Sequence, residues 1–193
     1  MKKITLLLSL VLIAFVSVSQ QTINLNTSAS SIKWIGSKVK SQHEGNIDFS
    51  KGHLIINDGK LTGGEFVIDM TTITCTDIED EKYQNKLVDH LKDPDFFDVD
   101  NFKTSKVKIT KVKYLDDNHY SIECDLTIKD ITNSINFDAI VEIKGDQFYS
   151  KATIIVDRTK WGINYKSTKS IEAVSKSLIL DDFQIDLYLL SQK

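Results

Sequence analysis

Ile122-Glu123-Cys124-Asp125-Leu126-Thr127-Ile128 alternates apolar and polar residues without a break. A period of two puts Ile122, Cys124, Leu126 and Ile128 on one face of an extended strand, and Glu123 and Asp125 on the other. The same pattern recurs nearby. Ile135, Phe137, Ala139, Val141 and Ile143 oppose Asn136, Asp138, Glu142 and Lys144. Phe148, Ala152, Ile154 and Val156 continue it, as do Phe183, Ile185, Leu187 and Leu189. One buried and one wet face per strand is the signature of antiparallel sheet. The strands are separated by Asn57-Asp58-Gly59, Asp116-Asp117-Asn118 and Gly145-Asp146, residue types that tolerate tight turns. A meander of such hairpins must close into a barrel or sandwich to hide its edges. The expected fold is all-β and antiparallel, with barrel and sandwich both open. Gly63-Gly64 opens a strand rather than a helix, so it reads as a bulge or barrel corner, not a phosphate loop.

One segment breaks the pattern. Tyr83, Leu87 and Leu91 repeat every four residues, and His90 shares their stripe, which predicts an inserted α-helix over residues 78–91. Thr76 and Glu79 have the spacing of a capping box. Acidic residues crowd the N-terminal end, and Lys86, His90 and Lys92 lie toward the other, matching the helix dipole. Pro94, the only proline, stops the helix. Beyond it Phe96 and Phe97 stand among Asp93, Asp95, Asp98 and Asp100. Greasy rings on a wet backbone suggest a segment docked over the barrel mouth as a gate. The rings either cap a filled core or close a cavity, and the residues alone leave both open.

The chain begins with Lys2 and Lys3, an apolar run over residues 4–16 and small residues at 17–19. That is the pattern of a secretory signal, with cleavage expected near Ser19 and an exported, periplasmic or secreted product. No Cys follows, so no lipid anchor is expected. Residues 20–193 are the length of one domain, and no linker or repeat divides them. The net charge is −3. An acidic chain without a basic run is a poor match for nucleic acid. Cys75 and Cys124 could bridge in an exported protein. Cys124, however, is in phase with the buried face, so two buried thiols are expected.

Candidates for chemistry are few. His43-Glu44 lacks a second histidine at residue 47, where Ile47 stands, so it is no zincin motif. A metal gathered from His43, His90 and Asp95 would need the fold to bring them together. No strained nucleophile turn is visible. Asp157-Arg158 reads as a surface or rim ion pair of little net energy.

Several short motifs carry a resemblance. They are Ser31, Trp34 and Gly36; His43-Glu44-Gly45; Gly63-Gly64-x-Phe66-x-Ile68-Asp69-Met70; and His90-Leu91-Lys92 with Asp95-Phe96-Phe97-Asp98-Val99. Leu126-Thr127-Ile128-Lys129, Asp157-Arg158-Thr159-x-Trp161-Gly162-Ile163 and Asp182-Phe183-x-Ile185 follow in order. Over nearly the whole chain this resembles the YceI-like family of exported bacterial polyisoprenoid- and lipid-binding proteins. Two positions depart from the family pattern: Lys103 stands where a proline is usual, and Asp130 where a glycine is usual. The resemblance implies a lipocalin-like, up-and-down antiparallel barrel of about eight strands with a long isoprenoid or fatty chain in its lumen, and no enzymatic activity. No catalytic residue, metal or cofactor is expected on this reading. The expected lining and gate are Trp34, Phe66, Ile68, Met70, Leu87, His90, Leu91, Phe96, Phe97, Phe137, Phe148 and Ile154. The partner would be a long-chain apolar molecule, with no nucleic acid and no membrane span; monomer and homodimer both stay open. The competing readings are an enzyme using His43 or His90, and a structural barrel acting through protein contacts.

Overall fold

The computed structural model describes residues 20–169 and 178–192. Nine strands form one antiparallel sheet: β1 (Gln20–Asn24), β2 (Ser31–Lys38), β3 (Gln42–Asn57), β4 (Lys60–Asp69), β5 (Thr104–Tyr114), β6 (His119–Ile128), β7 (Ile131–Lys144), β8 (Gln147–Asp157) and β9 (Ile179–Leu190). From β2 to β9 each strand pairs with the next in the chain, and β9 returns to pair with β2. Eight strands therefore close an up-and-down barrel, and β1, the ninth, pairs with β3 alone. β3 is long enough to serve two neighbours on one side. Its first half pairs with β2 (Ile47 opposite Ile32) and its second half with β1 (Leu54 opposite Ile23).

The alternation seen in the sequence is the alternation of the walls. Ile122, Cys124, Leu126 and Ile128 are buried, while Asn136 and Asp138 of β7 are exposed. The turn residues do what their chemistry allows: Asp58, Asp117, Asn118 and Asp130 all have φ between 40° and 66°. Asp130 thus holds the left-handed conformation for which the family pattern uses glycine, with Lys129 beside it at φ 50°. At Gly63-Gly64 the β3–β4 register slips, Ile55 facing Gly63 and Ile56 facing Leu61, which is a bulge. A Cβ on Gly64 would lie 2.7 Å from the His53 carbonyl oxygen, so the strands could not approach this closely with any other residue.

The helix, α1, spans Glu81–Lys92 and lies in the β4–β5 connection. It begins three residues later than the periodicity suggests. Its cap is Asp80, whose carboxylate accepts from the backbone N–H groups of Lys82 and Tyr83. Thr76 is not available as a cap: its N–H and hydroxyl both donate to the Glu44 carbonyl, which ties it to β3. Tyr83 consequently stands 62 % exposed, and α1 has no fully buried residue. No described helix is long and apolar enough to cross a membrane. The signal segment expected over residues 1–19 lies outside the described residues.

One end of the barrel holds the three tight turns β3–β4, β5–β6 and β7–β8. The other holds the β2–β3 hairpin, the connection carrying α1, the β6–β7 turn and the β8–β9 connection. All the longer connections are at that second end.

Candidate functional site

The inward faces do not meet. They enclose a cavity of about 250 Å³ that runs along the barrel. Both Ile179 and Leu189 of β9 border it. Ten residues of strand cover roughly 33 Å at 3.3 Å each, or about 25 Å along the axis at a tilt near 40°. The space is thus long and slender. Small residues make room for it in mid-barrel, where Ala139 of β7 and Ala152 of β8 are direct cross-strand partners and both border the cavity.

Of the residues expected to line such a space, Trp34, Phe66, Ile68, Met70, Leu87, Leu91, Phe96, Phe97, Phe137 and Ile154 border it. Two do not. Phe148 is buried beside the β7–β8 turn, where its N–H donates to Ser191 Oγ, and it belongs to the core that shuts the closed end. His90 faces away from the lumen. Its ring packs edge-on against Phe96 and Tyr165, with centroids 4.9 and 4.7 Å away, and Asp95 lies 3.5 Å from its Nε2.

Phe96 and Phe97 both border the cavity and differ in burial. Phe96 is buried among Leu126, Ile128, Trp161 and Ile163; Phe97 is half-buried and packs on both core clusters. The segment that carries them is held tightly. Phe97 N–H donates to the Leu91 carbonyl, Val99 N–H to Lys92, Asp98 N–H to Asp93, and Lys129 Nζ to the Pro94 carbonyl. Residues 93–102 are therefore a fastened plug, not a loosely docked gate. The mouth lies beside it, where the exposed residues Lys38 and Leu180 border the cavity together with Leu87 of α1.

His43-Glu44-Gly45 earns its place by geometry. Past Met70 the chain runs back along the first half of β3. Thr74 N–H donates to the Asn46 carbonyl, and Trp34 Nε1 donates to the Thr74 carbonyl at 3.0 Å. A Cβ on Gly45 would fall 1.8 Å from that same carbonyl oxygen, so only glycine permits the strap. Asp77 then receives His43 Nδ1–H at 2.9 Å, the Glu44 N–H at 3.0 Å and the Cys75 thiol at 3.2 Å. Burial works to raise the Asp77 carboxyl, but these bonds outweigh it and hold it below the ordinary carboxylate value. Burial and the bond to Asp77 push the Cys75 thiol up. The acid sits between thiol and imidazole, whereas an activated nucleophile needs the base in the middle. The cluster fastens the strap.

Arg158 corrects the sequence reading. It is buried, not on the rim, and it pairs with Asp181 rather than Asp157. Its guanidinium donates to the carbonyls of Ile163, Ile179 and Leu180 and so ties β8 to the start of β9. Asp157 instead caps the turn Arg158–Trp161 and holds Lys169 Nζ at 2.7 Å. A lone sequence gives no sign that three carbonyls converge on residue 158. His43 and His90 have separate partners, and no three His, Cys, Asp or Glu side chains gather to hold a metal among the described residues.

The chain matches the YceI-like domain over residues 23–189. It belongs to the YceI-like family. Solved structures share the fold. Burkholderia cenocepacia BcnA is 18 % identical with a TM-score of 0.69, covering 87 % of this chain and 99 % of that one. A polyisoprenoid-binding domain from Saccharophagus degradans, implicated in plant cell wall breakdown, is 12 % identical with a TM-score of 0.63, covering 91 % and 99 %. The Campylobacter jejuni YceI protein is 16 % identical with a TM-score of 0.53, covering 100 % and 99 %. No curated protein matches the chain. At these identities the likeness to solved structures speaks for the barrel alone.

Proposed function

We propose that this YceI-like protein carries or stores a long, slender apolar molecule of the lipid or isoprenoid class inside its barrel. The observation that carries the reading is the cavity, lined almost wholly by hydrocarbon and open at one end. An empty void of this size costs on the order of 6 kcal/mol, at about 24 cal/mol per Å³. An apolar chain recovers that and adds about 0.8 kcal/mol per CH₂ group taken from water. The Saccharophagus degradans neighbour, described as polyisoprenoid-binding, supports the same class of ligand. In this reading the protein acts by binding, without a catalytic residue, and is exported to the periplasm or beyond, as residues 1–19 suggest.

Native mass spectrometry of the protein purified from its own host tests this. The expected result is a non-covalent adduct of several hundred daltons, on the scale of a long-chain lipid. A bare mass, together with no uptake of fluorescent fatty or isoprenoid probes, would overturn it.

A further inference from the structure

The charges around the cavity are sorted by sign. The chain as a whole is acidic, with 27 Asp and Glu against 24 Lys and Arg. Yet among the described residues no carboxylate borders the cavity, and the ionisable side chains that do are Lys38, His43 and Arg158, apart from the thiol of Cys124. Lys38 and His43 stand at the mouth and Arg158 is buried just inside it; His43 is already paired with Asp77 and Arg158 with Asp181. Lys38 is the register partner of Ile179, and His43 that of Gly36 two residues earlier on β2. Arg158 binds the carbonyls of Ile179 and Leu180.

We propose that the cargo is an amphiphile with an anionic head, a long-chain carboxylate or phosphate monoester, whose tail fills the cavity and whose head is met at the rim by Lys38. This rests on the carrier reading and adds the charge and direction of the ligand. The three basic groups have different parts. Arg158 is committed to three carbonyls and to Asp181, so it holds the start of β9 in place and its charge is already compensated. Lys38 is exposed, and its ammonium makes no ion pair among the described residues, so it is the cation that can meet the head. Its long stem can lie along the apolar rim while the charge stays in water. Asp77 takes Nδ1–H of His43, so Nε2 of the neutral ring is an acceptor, and the charge of the head is met by Lys38. A headgroup charge buried in the lumen would be far too costly, so the tail goes in first and the head stays at the rim. A neutral head gains only an ordinary hydrogen bond from the Lys38 ammonium, and a cationic head meets like charge there.

The test compares three probes of matched chain length by fluorescence displacement at low salt: a fatty acid, its methyl ester and the alkyl phosphate. The acid or the phosphate is expected to bind about ten-fold more tightly than the ester, the yield of one charge-assisted hydrogen bond at a wet rim. Whichever anion binds more tightly identifies the head. Lys38→Gln should bring the anion-to-ester ratio to about two-fold or less, and raising the salt should shrink it too. Lys151→Gln, on the outer face of β8, should leave the ratio as it is. Equal binding of all three probes, or a ratio that survives Lys38→Gln, would overturn the headgroup assignment while leaving the carrier reading intact. Failure of every probe to bind would overturn both.

Discussion

Arg158 Nη2 and Asp181 Oδ1 lie 3.5 Å apart, with only 5 % and 9 % of their side chains exposed. Asp181 also accepts from the N–H of Thr168, and the guanidinium serves three carbonyls, so both charges are compensated in a dry place. Removing one partner strands the other. Arg158→Met should cost about 3–5 kcal/mol in urea unfolding, and Arg158→Lys most of that, because an ammonium cannot reproduce the fork. A loss below about 1 kcal/mol would mean the pair is not buried in solution.

Asp157 sets an acid limit. Burial works to raise its carboxyl, but the bonds from Lys169 and Thr159 outweigh this and bring it from 3.8 to about 2. The folded value lies below the unfolded one, so the ionised form contributes stability above about pH 4 and that contribution is lost as pH falls toward 2. The contribution is on the order of 2 kcal/mol. In Asp157→Asn the fall in stability between pH 4 and pH 2 should be visibly shallower than in the parent. Identical profiles would remove Asp157 from the account.

Phe96 and Phe97 should separate in the same pair of measurements. Phe96→Ala removes a ring buried among Leu126, Ile128, Trp161 and Ile163 and should cost about 3–5 kcal/mol. Phe97 is only half-buried against the cavity, so Phe97→Ala should cost clearly less while probe dissociation quickens. Full-size destabilisation with an unchanged off-rate would place Phe97 in the core as well.

Neither cysteine should react in the folded protein. Cys124 is fully buried and desolvation pushes its thiol up to about 12, so almost no thiolate exists at neutral pH. Both cysteines are free thiols. Titration without reductant should find both thiols in denaturant and neither without it. Finding none in denaturant would mean a bridge.

How much of this was legible beforehand differs by feature, for physical reasons. Strands such as Ile122–Ile128 were plain because one wall of a barrel faces apolar space and the other water, and the period of two reports that directly. The turns at Asn57-Asp58-Gly59 and Asp117-Asn118 were plain because few residues accept positive φ. The start of α1 was misplaced because Thr76 is claimed by Glu44, a partner 32 residues away that no local pattern reveals. Arg158 was misread for the same reason, its three carbonyl partners lying on two other segments. Phe137 and Ile154 follow from strand alternation and Leu87 and Leu91 from the helical stripe, but Phe148 shows the limit of such patterns. It points inward like its neighbours, yet lies past the end of the cavity. Lys38 went unread because a lysine at a strand end looks like any solvated residue until the cavity opens beside it.

The central claim is that ligand lies inside the barrel, and blocking the lumen tests it most directly. Ala152 and Ala139 are cross-strand neighbours on β8 and β7, and both border the cavity. Ala152→Phe would put a ring into that space, with Ala152→Leu as a milder version. Filling a void should leave thermal stability unchanged or raise it by about 0.5–2 kcal/mol. The account expects the folded variant to lose affinity for a long-chain fluorescent probe by more than about ten-fold. A folded, equally stable Ala152→Phe protein that binds the probe as tightly as the parent would contradict it.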